Sequence, residues 1–479
     1  MKKLLFLLVF ATICAFGQQK VYQRDVFSDK VLSELKSESL YPTLNLIKVD
    51  DKRVDSKFPE LESRKIIYEF TKFAIKKNIK FSELDWNKYV PIELLFNQNG
   101  SLDYLVYGFQ QIFVDENNSK IRRSFKFDTL NVEQTKIFVD LAEDFCKNYI
   151  LKQTKLGKNF SINTSLSFGR DQRKPKKNTI STIEMAQNCD KPDTVKSLMF
   201  NKLYLELFPE VVFRFKNLEK LDLSDNLIET VPKRLSELKK LKFLSLSGNY
   251  INYEEFKFKR NKHLKDLNLQ YTGMTKIQRS MKRNRSLEIL FLGNNPIVFT
   301  KNDFRKLTGL KALNLYNVKT ATLPKSIAKL QKLEELDLYY NELQFLPKEI
   351  CQLKNLKTLA VANNQLWNLP EEISKMPNLQ TLYAHHNRLN SLPTLPNLKL
   401  LDVGYNVFKV FPEQVYSLKN LEEFDITNNK IEEIPAKLLS MQKLQKVYIR
   451  GNEFFQIDEK SKEITKLVAD LEQKQILVR

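Results

Sequence analysis

Histidine is scarce in this chain: three residues in 479, His263, His385 and His386. Nucleophilic catalysis by Ser or Cys normally needs a neighbouring base, most often histidine. With none before residue 263, the first half holds no Ser-His or Cys-His pair by itself. Glycine is sparse too, at 11 residues, and no G-x-x-x-x-G-K loop is present to cradle phosphate, nor any C-x-x-C. Low Gly and Pro exclude collagen-like and low-complexity chains. Four cysteines are too few for a disulfide-dense scaffold. Asp85 and Glu93 are carboxylates with no spacing that marks a glycosidase pair rather than surface acids. The adjacent His385 and His386 tend to point apart on a strand, and no third ligand accompanies them, so they read as surface contacts rather than metal ligands. We therefore expect no enzyme, no cofactor and no metal site.

Long apolar runs are also missing. The longest, Leu4 to Ile13, is about half the ~20 residues of a membrane span. It follows the basic Met1-Lys2-Lys3 and precedes Ala15-Phe16-Gly17, an A-x-G cleavage pattern before Gln18. Residues 1–17 are thus expected to be a secretory signal peptide, and the chain periplasmic, cell-surface or secreted. Cys14 raises lipidation, but the bulky Ile13 before it is wrong for a lipobox. Cys146, Cys189 and Cys351 would then remain, an odd number. Cys146 and Cys189 are the candidates for a disulfide joining the two halves of the chain; unpaired thiols are the equal alternative.

What is abundant is positive charge and leucine at fixed intervals. The 78 Lys and Arg outnumber 57 acids, a formal net charge of +21. Most lysines are dispersed among acids, as on a solvated surface. The pattern L-x-x-L-x-L-x-x-N-x-L starts at Leu218, Leu241, Leu287, Leu333 and Leu356, with looser copies from Val195, Leu264, Leu310, Leu379, Leu398, Leu421 and Leu444. The twelve copies are 23 residues apart, except that Leu379 and Leu398 are 19 apart. In x-L-x-L-x the leucines alternate with outward residues, as a strand requires. No single unit buries its apolar face, so neighbours must stack.

These residues resemble the leucine-rich-repeat family over about 195–454, in the secreted bacterial type with L-P-x-x-I-x-x-L second halves such as Leu346 to Leu353. The resemblance implies an α/β fold: a right-handed solenoid of about twelve repeats with a parallel concave sheet. It also implies that the recurrent Asn (226, 249, 295, 341, 364, 387, 406, 429, 452) ties neighbouring turns into a ladder. Proline recurs fourteen residues into eight units, from Pro209 to Pro435, suiting an extended or tightly turned outer side. Residues 455–479 are expected to form a capping helix, with Ile464, Leu467, Val468 and Leu471 at helical spacing over Glu459 to Leu477.

Residues 18–168 show no repeat. Helices are expected over 63–78 and after the capping box at Asn131, and two strands over 91–109 joined at Asn99-Gly100, giving an α+β domain of unassigned role. The hairpin-then-helix order resembles the periplasmic TonB C-terminal module over some fifty residues. The basic stretch from Gly169 opens a linker and N-terminal cap, 169–194.

A partner, peptide or folded protein surface, is expected on the concave face. Its outward positions give Phe291, Tyr316, Asp337, Tyr339, Tyr340, Tyr383, His385, His386, Asp402 and Tyr405, whereas earlier units offer mostly Ser, Asp, Asn and Gly. Aromatic residues are enriched at binding hot spots. The four residues lost in the short unit should alter curvature beside His385 and Tyr405. The alternative partner is an anionic polysaccharide or lipid headgroup on Lys257, Lys259, Arg260, Lys262, Arg279, Lys282, Arg283 and Arg285. That stretch holds ten Lys or Arg against one acid, Asp266. Few aromatics interleave with it, which disfavours nucleic acid.

Overall fold

In the computed structural model of the chain, the described residues are 179–479 apart from 204, 254–260, 397 and 457, together with 21–23, 48–49, 52–53, 69–70, 73, 77, 89–96, 102–107, 110–113, 124–127, 140–142, 144–145 and 160–167. The expectations for residues 1–17 and for Asp85, Cys146, the stretch 169–178, Lys257, Lys259 and Arg260 lie outside them. The chain divides into two compact units, Met1–Lys174 and Pro175–Arg479.

The first unit carries β1 (Val21–Gln23), β2 (Lys48–Val49), β3 (Lys52–Arg53), β4 (Tyr89–Phe96), β5 (Leu102–Tyr107), β6 (Gln110–Phe113), β7 (Ser124–Phe127) and β8 (Phe160–Ser167). The apolar strands around Asn99-Gly100 are there: β4 and β5 pair antiparallel from Ile92↔Tyr107 to Phe96↔Leu102. The sheet is larger than a hairpin with a helix. It has six strands in the order β1-β5-β4-β6-β7, and β8 pairs β4 along its whole length, from Tyr89↔Ser167 to Phe96↔Phe160. Residues 69–70 and 73 are helical, as are 140–142 and 144–145. Buried Phe70 and Phe145 meet edge-to-face at 5.1 Å, which joins the two segments.

The second unit is one continuous stack. Strands β9 (Ser197–Met199), β10 (Lys220–Asp222), β11 (Phe243–Ser245), β12 (Asp266–Asn268), β13 (Ile289–Phe291), β14 (Ala312–Asn314), β15 (Glu335–Asp337), β16 (Thr358–Ala360), β17 (Thr381–Tyr383), β18 (Leu400–Asp402), β19 (Glu423–Asp425) and β20 (Lys446–Tyr448) pair in parallel in sequence order. The central residue of each strand faces inward and is buried, from Leu198 and Leu221 to Phe424 and Val447. The short unit does not disturb this register, since Leu382 still lies opposite Leu401. Its missing residues come from the outer side, where buried Leu392 and Leu395 bridge directly back to the next strand.

The asparagine ladder has the geometry the repeat demands. Asn295 Nδ2 donates to Leu269 O (2.7 Å) and Leu292 O (2.8 Å), while its Oδ1 accepts Thr272 N–H and Met274 N–H, both at 3.0 Å. One amide thus satisfies four buried backbone groups that no strand partner reaches. Where Thr272 replaces Asn, its hydroxyl donates to Leu269 O (2.7 Å) and is joined at 2.6 Å by the Tyr253 hydroxyl. Where Val318 replaces it, Ile297 N–H turns instead to Asn295 O (2.9 Å) and Val318 O (3.3 Å). A second rung, absent from the repeat pattern, links Asn261 N–H to buried Asn284 Oδ1 at 2.8 Å.

Seven outer sides carry a five-residue 3-10 turn, and each follows a proline with φ between −60° and −75°, as at Pro347 before Lys348–Gln352. Proline fixes φ at the turn entrance and has no N–H to leave unpaired there. Cys351 sits in one such turn with its thiol buried and pushed up to about 11 by desolvation. Cys189 is also a free thiol.

Both ends of the stack are covered. Helix α1 (Ile183–Gln187) buries Ala186 at the first strand, and Arg214 binds its last carbonyls, including Ala186 O at 2.8 Å. Helix α2 (Asp458–Gln473) buries Ile464, Leu467 and Leu471 over the last repeat. It is shorter than the expected helix. Beyond a turn at Lys474–Gln475, β21 (Leu477–Val478) pairs with β20 as a thirteenth parallel strand. Leu477 N–H reaches Gln445 O at 2.8 Å, so the strand edge wins over continued helix.

Candidate binding face

Position seven of every unit, just before the ladder asparagine, has a left-handed backbone. Its φ is positive at residues 202, 225, 248, 271, 294, 317, 340, 363, 386, 405, 428 and 451. The turn is forced there because the chain must leave the strand and present the asparagine inward. Glycine, Asn and Asp tolerate this conformation, whereas a bulky side chain pays a local strain of ~1–3 kcal/mol. Gly248, Gly451, Asp225 and four asparagines follow that preference. Five do not: Lys202 (57°), Tyr271 (53°), Tyr340 (57°), His386 (52°) and Tyr405 (52°), and the last three are at sites expected to make contacts.

The aromatic side chains form one connected group across the sheet. Tyr316 meets Tyr340 with ring centroids 5.2 Å apart, and Tyr340 meets Tyr339 at 6.4 Å. Tyr339 in turn contacts Tyr383 (6.3 Å) and His385 (5.5 Å). His385 contacts His386 at 5.5 Å, and His386 stacks on Tyr405 at 4.1 Å and 16°. Strand β16 lies between Tyr339 and Tyr383 but carries only Ala360 and Ala362 at its central outward positions, both buried. Small residues there let the rings lean together over the gap. Tyr340 and Tyr405 keep about half their surface open, 50% and 49%.

Carboxylates are set among the rings. Asp402 Oδ2 is 2.7 Å from His385 Nδ1, and its Oδ1 accepts Gly404 N–H. Asp337 accepts from Asn314 Nδ2 (2.6 Å) and Tyr339 N–H (3.0 Å). Asp425 accepts from Thr427 N–H and Thr427 Oγ1. Desolvation raises the pKa of Asp337 and of Asp425 above the ordinary carboxylate value, and nearby Asp402 adds to the rise at Asp425. Burial, with Asp402 and other neighbours, raises the Tyr339 phenol. Burial, then neighbouring His385, lowers His386 and favours the neutral ring that stacks on Tyr405. Phe291 is half-buried on β13, outside the connected rings.

Two exposed aromatics were not legible as a site in the sequence. Trp367 and Phe345 are 48% and 59% exposed where the chain leaves the sheet, and the Arg388 guanidinium stands 5.2 Å from the Trp367 ring centroid.

The basic stretch is less coherent. Lys282 bonds the nearly fully buried Asp303, which makes it a structural ion pair. Exposed Lys262 and Arg285 occupy equivalent places in adjacent units, whereas exposed Arg279 lies on the outer side. Lys265 is held by Glu288, which also binds Lys311 at 2.8 Å. Those two hydrogen bonds lower the Glu288 carboxyl to about 2. Similar pairs, such as Glu219–Lys242 and Glu334–Lys357 (both 2.6 Å), run along the edge where strands begin. Among the described residues no group of three His, Cys, Asp or Glu is placed to hold a metal ion, and no helix is long and apolar enough to cross a membrane.

Comparison with known proteins agrees with the fold. A family model described as a leucine-rich repeat region matches residues 298–387, and one described as leucine rich repeat matches 197–251. No curated protein matches the chain. Among solved structures, a leucine-rich-repeat protein of Leptospira interrogans is 27% identical, over 58% of this chain and 77% of its own, with a TM-score of 0.50. An internalin of Listeria monocytogenes is 18% identical, over 56% of this chain and 87% of its own, with a TM-score of 0.46.

Proposed function

Because the chain is a leucine-rich-repeat protein of bacterial type, we propose that it is a non-catalytic binding protein that grips a polypeptide on the face made by β14–β19. The observation that carries the reading is the connected group of rings from Tyr316 to Tyr405, with three of its members on left-handed backbone. Folding alone favours Asn or Gly at those three places. Strain held at surface positions that also expose aromatic area is what a binding site requires. The reading includes export through residues 1–17 and an encounter with the partner outside the cytoplasm.

The test is a pull-down from native envelope and culture medium with the chain from Gln18 onward, repeated with Tyr340→Ala/Tyr383→Ala. We expect a protein captured by the unsubstituted chain and lost with the double variant, whose far-UV circular dichroism stays unchanged. A captured protein that survives both substitutions sinks the reading. Capture that ignores the tyrosines but is stripped by moderate salt favours instead a polyanion held near Lys262, Arg279 and Arg285.

A further inference from the structure

The charge on this face runs against the charge of the molecule. On β14–β19 the outward positions of six units are 312, 314, 316, 317, 335, 337, 339, 340, 358, 360, 362, 363, 381, 383, 385, 386, 400, 402, 404, 405, 423, 425, 427 and 428. They hold five acids (Glu335, Asp337, Asp402, Glu423, Asp425) and no Lys or Arg, in a chain with 78 of them and a net charge of +21. Basic residues return next to the face at Lys446 on β20, and on the other side only at Lys220 on β10, beyond β11–β13. Lys446 bridges to Glu423 at 3.0 Å, but among the described residues Asp337 meets only hydrogen-bond donors, and Asp425 has no Lys or Arg and only the titratable His385 near it. Two carboxylates are therefore kept partly desolvated beside open aromatic faces without a permanent balancing charge.

Resting on the binding reading above, we propose that the polypeptide bound here presents a basic segment, an extended stretch with Lys or Arg at alternate positions. Its cations lie over the Tyr340 and Tyr405 rings and pair with Asp337, Asp402 and Asp425. Aromatic faces attract cations through the ring quadrupole, and most strongly where water is excluded. A neighbouring carboxylate completes the recognition, and a basic side chain removes the cost of holding that carboxylate out of water. Six strands at ~4.8 Å spacing span about 24 Å, the length of roughly eight extended residues.

The test uses two acetylated, amidated octapeptides of identical length, one with lysine and one with glutamate at alternate positions among serines. Their binding to the chain from Gln18 onward is measured by calorimetry at low salt. The overall charge of the protein draws the glutamate peptide, so a preference for lysine arises only from a local site. We expect the lysine peptide to bind at least about tenfold more tightly than the glutamate peptide, and Asp337→Asn/Asp402→Asn/Asp425→Asn to abolish that preference while keeping its circular dichroism. Equal binding of both peptides, a glutamate preference, or an unchanged preference in the triple variant overturns the inference. A natural partner lost on Tyr340→Ala/Tyr383→Ala but retained by the triple Asn variant leaves the binding reading standing and removes only its basic segment.

Discussion

At the scale of single residues, the proposed binding face carries a cost in stability, and Asp337 shows how. Its folded pKa lies above the ordinary 3.8 because burial disfavours the anion. The folded chain therefore binds more protons than the unfolded chain between 3.8 and that raised value, so stability falls as pH rises through the window. Above it the penalty is fully present; below 3.8 it vanishes. Asp337→Asn keeps the acceptor for Tyr339 N–H, gives up the one for Asn314 Nδ2, and removes the charge. We expect it to raise the thermal midpoint at pH 7 by on the order of a degree or more, and to leave it unchanged near pH 3. A lower midpoint at pH 7 would mean that the carboxylate stabilises the fold. Position seven adds a cost through the backbone: Asn294, Asn317, Asn363 and Asn428 are residues the turn prefers, and Tyr340, His386 and Tyr405, like Lys202 and Tyr271 outside the face, are not.

At the scale of elements, the ladder decides how strongly neighbouring units hold together. Asn295→Ala removes the four short hydrogen bonds of the rung and leaves two backbone N–H groups and Leu292 O to find other partners in a buried place, while Leu269 O keeps the Thr272 hydroxyl. The expected loss is about 3 kcal/mol, read as a lower denaturation midpoint. A change under about 1 kcal/mol would show that strand pairing alone carries the junction. This level was also the most legible in sequence. A period of 23 fixed the register of β9–β20 to the residue, because each unit meets neighbours built to the same plan. Features that depend on residues occurring once were hidden. The pairing of β8 along β4, the Tyr253 hydroxyl standing in beside Thr272, the tie of Lys282 to Asp303 and the return of β21 onto β20 follow from contacts that no spacing announces. The site was half legible: alternation placed the tyrosines outward, but the left-handed turn beneath three of them and the alanine gap that lets the rings meet are properties of the backbone in three dimensions.

At the scale of the whole molecule, the second unit behaves as a one-dimensional object in which the backbone of each strand pairs only with its neighbours in sequence order. Its one irregular period, 19 residues from Leu379 to Leu398 against 23 elsewhere, leaves the sheet register intact and shortens only the outer side. Under tension this becomes a ruler. A 23-residue unit peeled from the stack releases about 80 Å of chain, and the 19-residue unit about 65 Å, at ~3.5 Å per residue. Pulled between its ends in an optical trap, the stack should lengthen in equal steps with a single short one among them. The place of that short step in the sequence of ruptures would show from which end the molecule comes apart; steps without a short member would show that several units yield together.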